Sequence, residues 1–225
     1  MWCIPPSQNA EFVARMEDVL AVYARPYDPK RPVVCMDEKP YQLLDEYLAP
    51  IPLSKTNHIE KYDCEYVRKG SCSIFMFTEP LAGWREAEAL PRRTATDWAT
   101  KMKWLIDTVY PHAEKIILIM DNLNTHSIAS FYKEFSPEEA FRLSQKLEIH
   151  YTPKHGSWLD IAEIELSALT TQCLLGVRIP SIDDLNKKLA LWSSARNSSQ
   201  KSVSWQFTSA DARTKLKHLY PEIKF

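Results

Sequence analysis

Three acidic residues stand where an apolar run gives out or a helix opens, and together they could act on a phosphodiester. Asp121 follows Ile116–Met120, five apolar residues that suit a strand buried on both faces better than a helix. Asp37 follows Val33-Val-Cys-Met36 in the same way, with Glu38 next. Glu163 lies three residues after Asp160 in Asp160-Ile-Ala-Glu163, and residues three apart share a helix face. In open α/β sheets ligands gather at the carboxyl ends of strands, although Asp121-Asn122 is also ordinary turn chemistry. Carboxylates brought close repel and raise one another's pKa values unless a cation sits among them. An all-oxygen set favours Mg²⁺ or Mn²⁺ over zinc. Two such ions about 3.5–4 Å apart can activate a water or hydroxyl and stabilise the leaving oxygen in phosphoryl transfer.

Bringing these acids together requires the first and fourth strands to lie side by side and parallel, with a helix packed across their ends. The chain supplies the parts in order. Residues 9 to 24 place Phe12, Val13, Met16, Leu20 and Tyr23 on one helical face. Prolines at 26, 29 and 32 then precede the strand that ends at Asp37, and 45 to 65 reads as a proline-broken excursion. Strands are predicted over 72–78 and 84–90 with a turn between them, the second an outer strand alternating apolar and charged residues. Thr96 and Asp97 open a helix through Tyr110. After the central strand come a short helix over 127–134, a helix opened by Pro137, and a fifth strand over 147–151. A loop from Thr152 runs into a helix reaching Leu175. Ser181 caps another with Leu185, Leu189 and Trp192 inward, and a last helix starts at Ser209. The expected architecture is α/β, a mixed five-stranded sheet flanked by helices. An N-terminal packing helix and linker (1–30), a core (31–176) and a C-terminal helical extension (177–225) divide it.

Composition narrows the chemistry. The 225 residues are 45% hydrophobic and 25% charged, which fits a globular chain able to bury a sizeable core. Only 4 glycines stand against 15 prolines, so a glycine-rich phosphate loop is nearly excluded, and no Walker or dinucleotide fingerprint appears. The 5 cysteines are scattered, with no CxxC pair, which argues against a disulfide framework or zinc ribbon and for reduced, mostly buried thiols. Neither a membrane-length apolar stretch nor a signal pattern appears. The expectation is a soluble cytoplasmic protein with no membrane partner. With a net charge of -1, any nucleic-acid surface must be a local patch.

Three ordered blocks also carry a family likeness. Val33-Val-Cys-Met-Asp-Glu-Lys39, Ile117-Leu-Ile-Met-Asp-Asn-Leu-Asn-Thr-His126 and Tyr151-Thr-Pro-Lys-His-Gly-Ser-Trp-Leu-Asp-Ile-Ala-Glu163 resemble the signature blocks of mariner-like DDE transposases, in particular their bacterial insertion-sequence relatives. Trp2–Pro6 and Trp205–Arg213 extend the resemblance over most of the chain. It implies a ribonuclease-H-like fold, two catalytic Mg²⁺ ions (Mn²⁺ as substitute), and cut-and-paste DNA transposition, commonly into TA dinucleotides. By that resemblance Asp37 is the first acid, bridging both metals, Asp121 the second and Glu163 the third. The family usually has Asn where this chain has Asp160, which makes Asp160 the second choice for the third ligand. Glu165 is a remoter one, pointing roughly 200° round the helix from Glu163.

Other residues carry a supporting and a plain reading side by side. Asn122 and His126 could support the second acid, and His126 could equally be a satisfied loop histidine. Glu38 is read as a solvated neighbour of Asp37, since adjacent strand residues face opposite ways. Lys154, His155 and Trp158 could grip a DNA end, with Trp158 alternatively a lid on the core. Arg92 with Arg93, Lys101 with Lys103, and Arg213, Lys215 and Lys217 are phosphate contacts or solvated faces. The partners implied are double-stranded DNA, as transposon ends and target, and a second copy of the chain in the DNA complex. Only 36 residues precede Asp37, too few for the paired helix-turn-helix modules such transposases place upstream. Two alternatives are a catalytically weak remnant serving as a DNA-binding or interaction module, and a ribonuclease-H-like nuclease.

Overall fold

The computed structural model describes residues 4–5, 7–52, 59, 61, 63–122 and 126–222. Asn124 and Thr125, most of Trp2–Pro6, and much of the middle of the 45–65 excursion lie outside them. Helix α1 (Ala10–Tyr23) is capped by Asn9, whose side chain accepts the Phe12 N–H, and buries Phe12, Met16, Val19, Leu20 and Val22. Strand β1 (Val33–Glu46) and strand β2 (Tyr66–Glu79) form a long antiparallel pair, and β3 (Trp84–Leu90) adds to β2. Helix α2 (Ala95–Trp104), strand β4 (Ile116–Met120), helices α3 (Ala129–Glu134) and α4 (Pro137–Gln145), strand β5 (Leu147–Tyr151), and helices α5 (Ile161–Leu169), α6 (Ile182–Ser198) and α7 (Ser209–Lys215) follow.

The sheet order is β3-β2-β1-β4-β5, with β1, β4 and β5 parallel and the other pairs antiparallel. All five residues of β4 are buried, as a central parallel strand covered on both faces requires. Alternation along β1 separates two cores. Cys35 joins Ile117 and Ile119 in a cluster with residues of α1, α5, α6 and α7, whereas Val34 and Met36 join Leu118 and Met120 in one with Trp98, Phe131 and Leu143. Complete burial of such side chains contributes about 1.5–3 kcal/mol each.

Some boundaries differ from those expected. β1 does not end at Asp37 but continues nine residues to Glu46, because β2 pairs with it along that whole length after β4 has stopped at Met36↔Met120. Pro40 is tolerated there since one edge of β1 is open beyond that point. The cap of α2 is Thr94, in a capping box with Asp97, rather than Thr96. Both α2 and α5 finish in a π-helical turn, over Leu105–Val109 and Thr170–Leu174. Of the described cysteines Cys35 and Cys72 are buried, but Cys64 is exposed and Cys173 half-buried. Among the described residues no helix is long and apolar enough to cross a membrane.

Candidate active site

Parallel pairing of β1 with β4 in the register Val33↔Ile117 to Met36↔Met120 makes Asp37 and Asp121 the next residues on adjacent strands. Each has the parity of Cys35 and Ile119, so both belong to the sheet face covered by α1 and α5. α5 brings the remaining acids. Asp160 is its N-cap, with Oδ1 accepting the Ala162 N–H at 2.9 Å, and Glu163 lies in its first turn. The start of α5 is fixed from α1: the Tyr23 hydroxyl donates to the Leu159 carbonyl at 2.7 Å. Its far end is tied to β1, where the Lys39 ammonium donates to Thr170 Oγ1 at 2.6 Å.

Electrostatics report the crowding. Burial pushes Asp37 up to about 7, opposed by the Glu38 N–H that donates to its Oδ1, and the Asp121, Glu163 and Glu38 carboxylates push the same way as burial. Asp160 is raised well above the carboxylate range, first by burial and next by Asp37, with Glu163 and Asp121 adding to it against the Ala162 N–H. Its Oδ2 is buried with no hydrogen-bond partner among the described residues. A buried oxygen without a donor, inside an all-oxygen group of acids, suits a hard divalent cation. In the present side-chain positions, no three His, Cys, Asp or Glu residues among those described are arranged to hold a metal ion.

The surroundings open on three sides. Asp37 and Glu163 line one cleft with Lys39 and Thr170, and Asp160 and Glu163 line another with Trp158 and Trp205. Asp121 and Asn122 line a third with Arg15, Lys154 and His155. Trp158 is half-buried, edge-on to Phe207 at 6.0 Å, and packs on the α5-side core. Lys154 and His155 are exposed, His155 with φ 64°.

The other predicted cations are not gathered here. Arg92 and Arg93 are exposed between β3 and α2. Arg213 makes a two-pronged bond to Glu17, at 2.8 and 2.7 Å, and Lys215 pairs with Asp211 at 3.4 Å. Lys217 is exposed beyond α7. Lys101 is buried against Glu88 and the Trp104 ring, and Lys103 bonds Asp107 and Glu139. Glu165 faces away from the acids: it lies wholly buried between Arg85 and Arg196.

One placement went unread in the sequence. Glu38 is not solvated; its side chain is 2% exposed and stands 3.1 Å from His126 Nε2. His126 in turn has Nδ1 3.9 Å from Asp121 Oδ1. Alternation predicted the face that Glu38 takes, but nothing local signalled a partner 88 residues away.

A sequence profile of the DDE superfamily endonucleases matches residues 32–186. No curated protein matches the chain in sequence. Among solved structures it is similar to the Mos1 strand transfer complex, with TM-score 0.57, 14% identity, and coverage of 85% of this chain and 55% of that one. A mariner Mos1 paired end complex with Mg gives TM-score 0.57 at 14% identity over 97% and 66%, and a pre-cleavage Mos1 transpososome 0.59 at 14% over 97% and 66%. The chain thus spans 55% to 66% of those chains. At such identity the likeness is one of fold, and the fold is ribonuclease-H-like.

Proposed function

Because this chain belongs to the DDE superfamily of endonucleases, we propose that it is the catalytic domain of a mariner-like DNA transposase. It would hydrolyse phosphodiesters at transposon ends and direct the freed 3′-hydroxyl at target DNA, at TA sites. The observation that carries this reading is the β1–β4 register, which makes Asp37 and Asp121 neighbours at one sheet edge within electrostatic reach of Asp160 and Glu163 on α5. Asp37, Asp121 and Glu163 would hold two Mg²⁺ ions, or Mn²⁺ in their place, with Asp160 as reserve. The ions supply charge neutralisation and acidify a bound water or hydroxyl. The residues of the chain bring the acids together, keep α5 in place through Tyr23 and Lys39, and offer the adjoining clefts to duplex DNA. The similar Mos1 structures include a strand transfer complex and a paired end complex, which supports DNA as the partner here; a second copy of this chain in the DNA-bound state is part of the same proposal.

Asp37→Ala and Asp121→Ala should each abolish Mg²⁺-dependent cleavage of the element's own terminal DNA while leaving the circular dichroism spectrum unchanged. Full cleavage by both variants would overturn the assignment.

A further inference from the structure

Glu38 and His126 form a buried pair on the sheet face opposite Asp37, and the imidazole of that pair reaches the end of β4. Glu38 alternates with Asp37 along β1, so its side chain enters the Trp98 side of the sheet. His126, with a side chain 1% exposed, lies on the Trp98 indole, the ring centroids 5.9 Å and the planes 16° apart. Its Nε2 meets Glu38 Oε1 at 3.1 Å and its Nδ1 faces Asp121 Oδ1 at 3.9 Å. Neither contact has hydrogen-bond geometry as the side chains stand, so both carboxylate oxygens of Glu38 and both ring nitrogens of His126 are buried without a hydrogen-bond partner among the described residues. The Tyr151 hydroxyl donates to the His126 carbonyl at 3.3 Å, which fixes the backbone under the ring. Burying a carboxylate and an imidazole is costly, and apolar residues of the same volume would often fill such a space at less cost.

We propose that Glu38 and His126 are positioning residues: Glu38 fixes the rotation of the imidazole, and His126 holds the Asp121 carboxylate at the sheet edge in the orientation that receives a divalent cation. The inference rests on Asp121 being a metal ligand. The stack on Trp98 leaves the ring one plane, and Glu38 selects its orientation within that plane. A ligand's outer partner of this kind typically changes metal affinity by about 10- to 100-fold when removed.

The test is calorimetric titration of Mn²⁺ into the chain, with thermal unfolding in EDTA alongside. His126→Ala and Glu38→Ala should each weaken Mn²⁺ binding about tenfold or more, and the double variant should be no weaker than the weaker single one. His126→Asn keeps an amide near the place of Nδ1, towards Asp121, and should bind Mn²⁺ more tightly than His126→Gln, which places it near Nε2. If the alanine variants fail to fold, the Asn and Gln pair decides alone, and equal affinities overturn the proposal. Unchanged Mn²⁺ affinity in the His126 and Glu38 variants, with binding lost in Asp121→Ala, overturns it too. So does a loss of affinity that merely follows the fall in melting temperature across the variants. If instead Asp37→Ala and Asp121→Ala bind Mn²⁺ like the unmodified chain, the metal reading of the acids is what fails, and the positioning role falls with it.

Discussion

Asp160 couples the electrostatics of the acids to the start of α5. Its Oδ1 accepts the Ala162 N–H, a bond that the carbonyl of an asparagine could equally accept. Asp160→Asn should therefore keep the cap and remove a buried acid, whereas Asp160→Ala should lose about 1 kcal/mol through the cap alone. Asp37, pushed up to about 7, and Asp160, also raised well above the usual range, hold protons in the folded chain that the unfolded chain releases near 3.8. The folded state then binds more protons between about 4 and 7, so metal-free stability falls as pH rises through that window. Thermal unfolding in EDTA should show this fall, with a shallower slope in Asp160→Asn. Glu148 acts in a different window. Although burial raises it, bonds from Arg25 and His150 and the charges of Arg25 and Arg31 bring it down to about 2, so its contribution is lost as pH drops below the ordinary glutamate range. At this scale Asp37, Asp121 and Glu163 were legible because an apolar run or a helix start frames each of them. Glu38 was not, because its burial depends on a histidine delivered by a distant loop.

α5 is held by charge as well as by packing. Arg85 on β3 is fully buried, its Nε 3.2 Å from Glu165 Oε2, and Arg196 on α6 bonds both oxygens of the same carboxylate at 3.1 and 3.0 Å. Glu165→Ala would strand a buried guanidinium, which costs roughly 3–5 kcal/mol. In a chain of this size that should lower the melting temperature by about 10 °C. Glu163→Ala, in the solvent-facing first turn two residues away, should leave it nearly unchanged, and a matching drop in both would contradict an anchoring role for Glu165. The anchor was hidden in the sequence because Arg85 reads as the outward charge of an edge strand. It becomes an inner residue only when α6 covers that face, as the bonds from Asn186 and Asn197 to the β3 backbone demonstrate. The extension of β1 past Asp37 was hidden for a related reason: Lys39, Pro40 and Gln42 carry no apolar alternation, and the pairing with β2 alone keeps them extended.

On the proposed function, the net charge of -1 across the whole molecule leaves attraction to DNA to a few cations, and the fold sorts them. Arg213 is committed to Glu17 on α1, so Arg213→Ala should change DNA affinity little. Lys154, exposed beside Asp121 in the same cleft, should contact phosphate. Lys154→Ala should weaken binding at all sequences and reduce the slope of log affinity against log salt by about 1, measured by fluorescence anisotropy on duplex DNA. An unchanged slope in Lys154→Ala would remove that residue from the interface. The order of elements and the parallel β1–β4 pair were legible because hydrophobic runs of five or so residues leave few alternatives in a mixed sheet. Which surface cations are free was not, because their acidic partners come from other elements. The pleat of β1 carries one last consequence, best put in genetic terms. Asp37 and Glu38 project to opposite faces, so loss of a single codon between Val33 and Met36 would invert their parity against β4, turning the glutamate to the acid cluster and the aspartate to His126. Loss of two codons would restore the faces but leave the aspartate level with Ile119, about 7 Å short of Asp121, so the pair of acids depends on the number of residues in β1 as well as on their alternation.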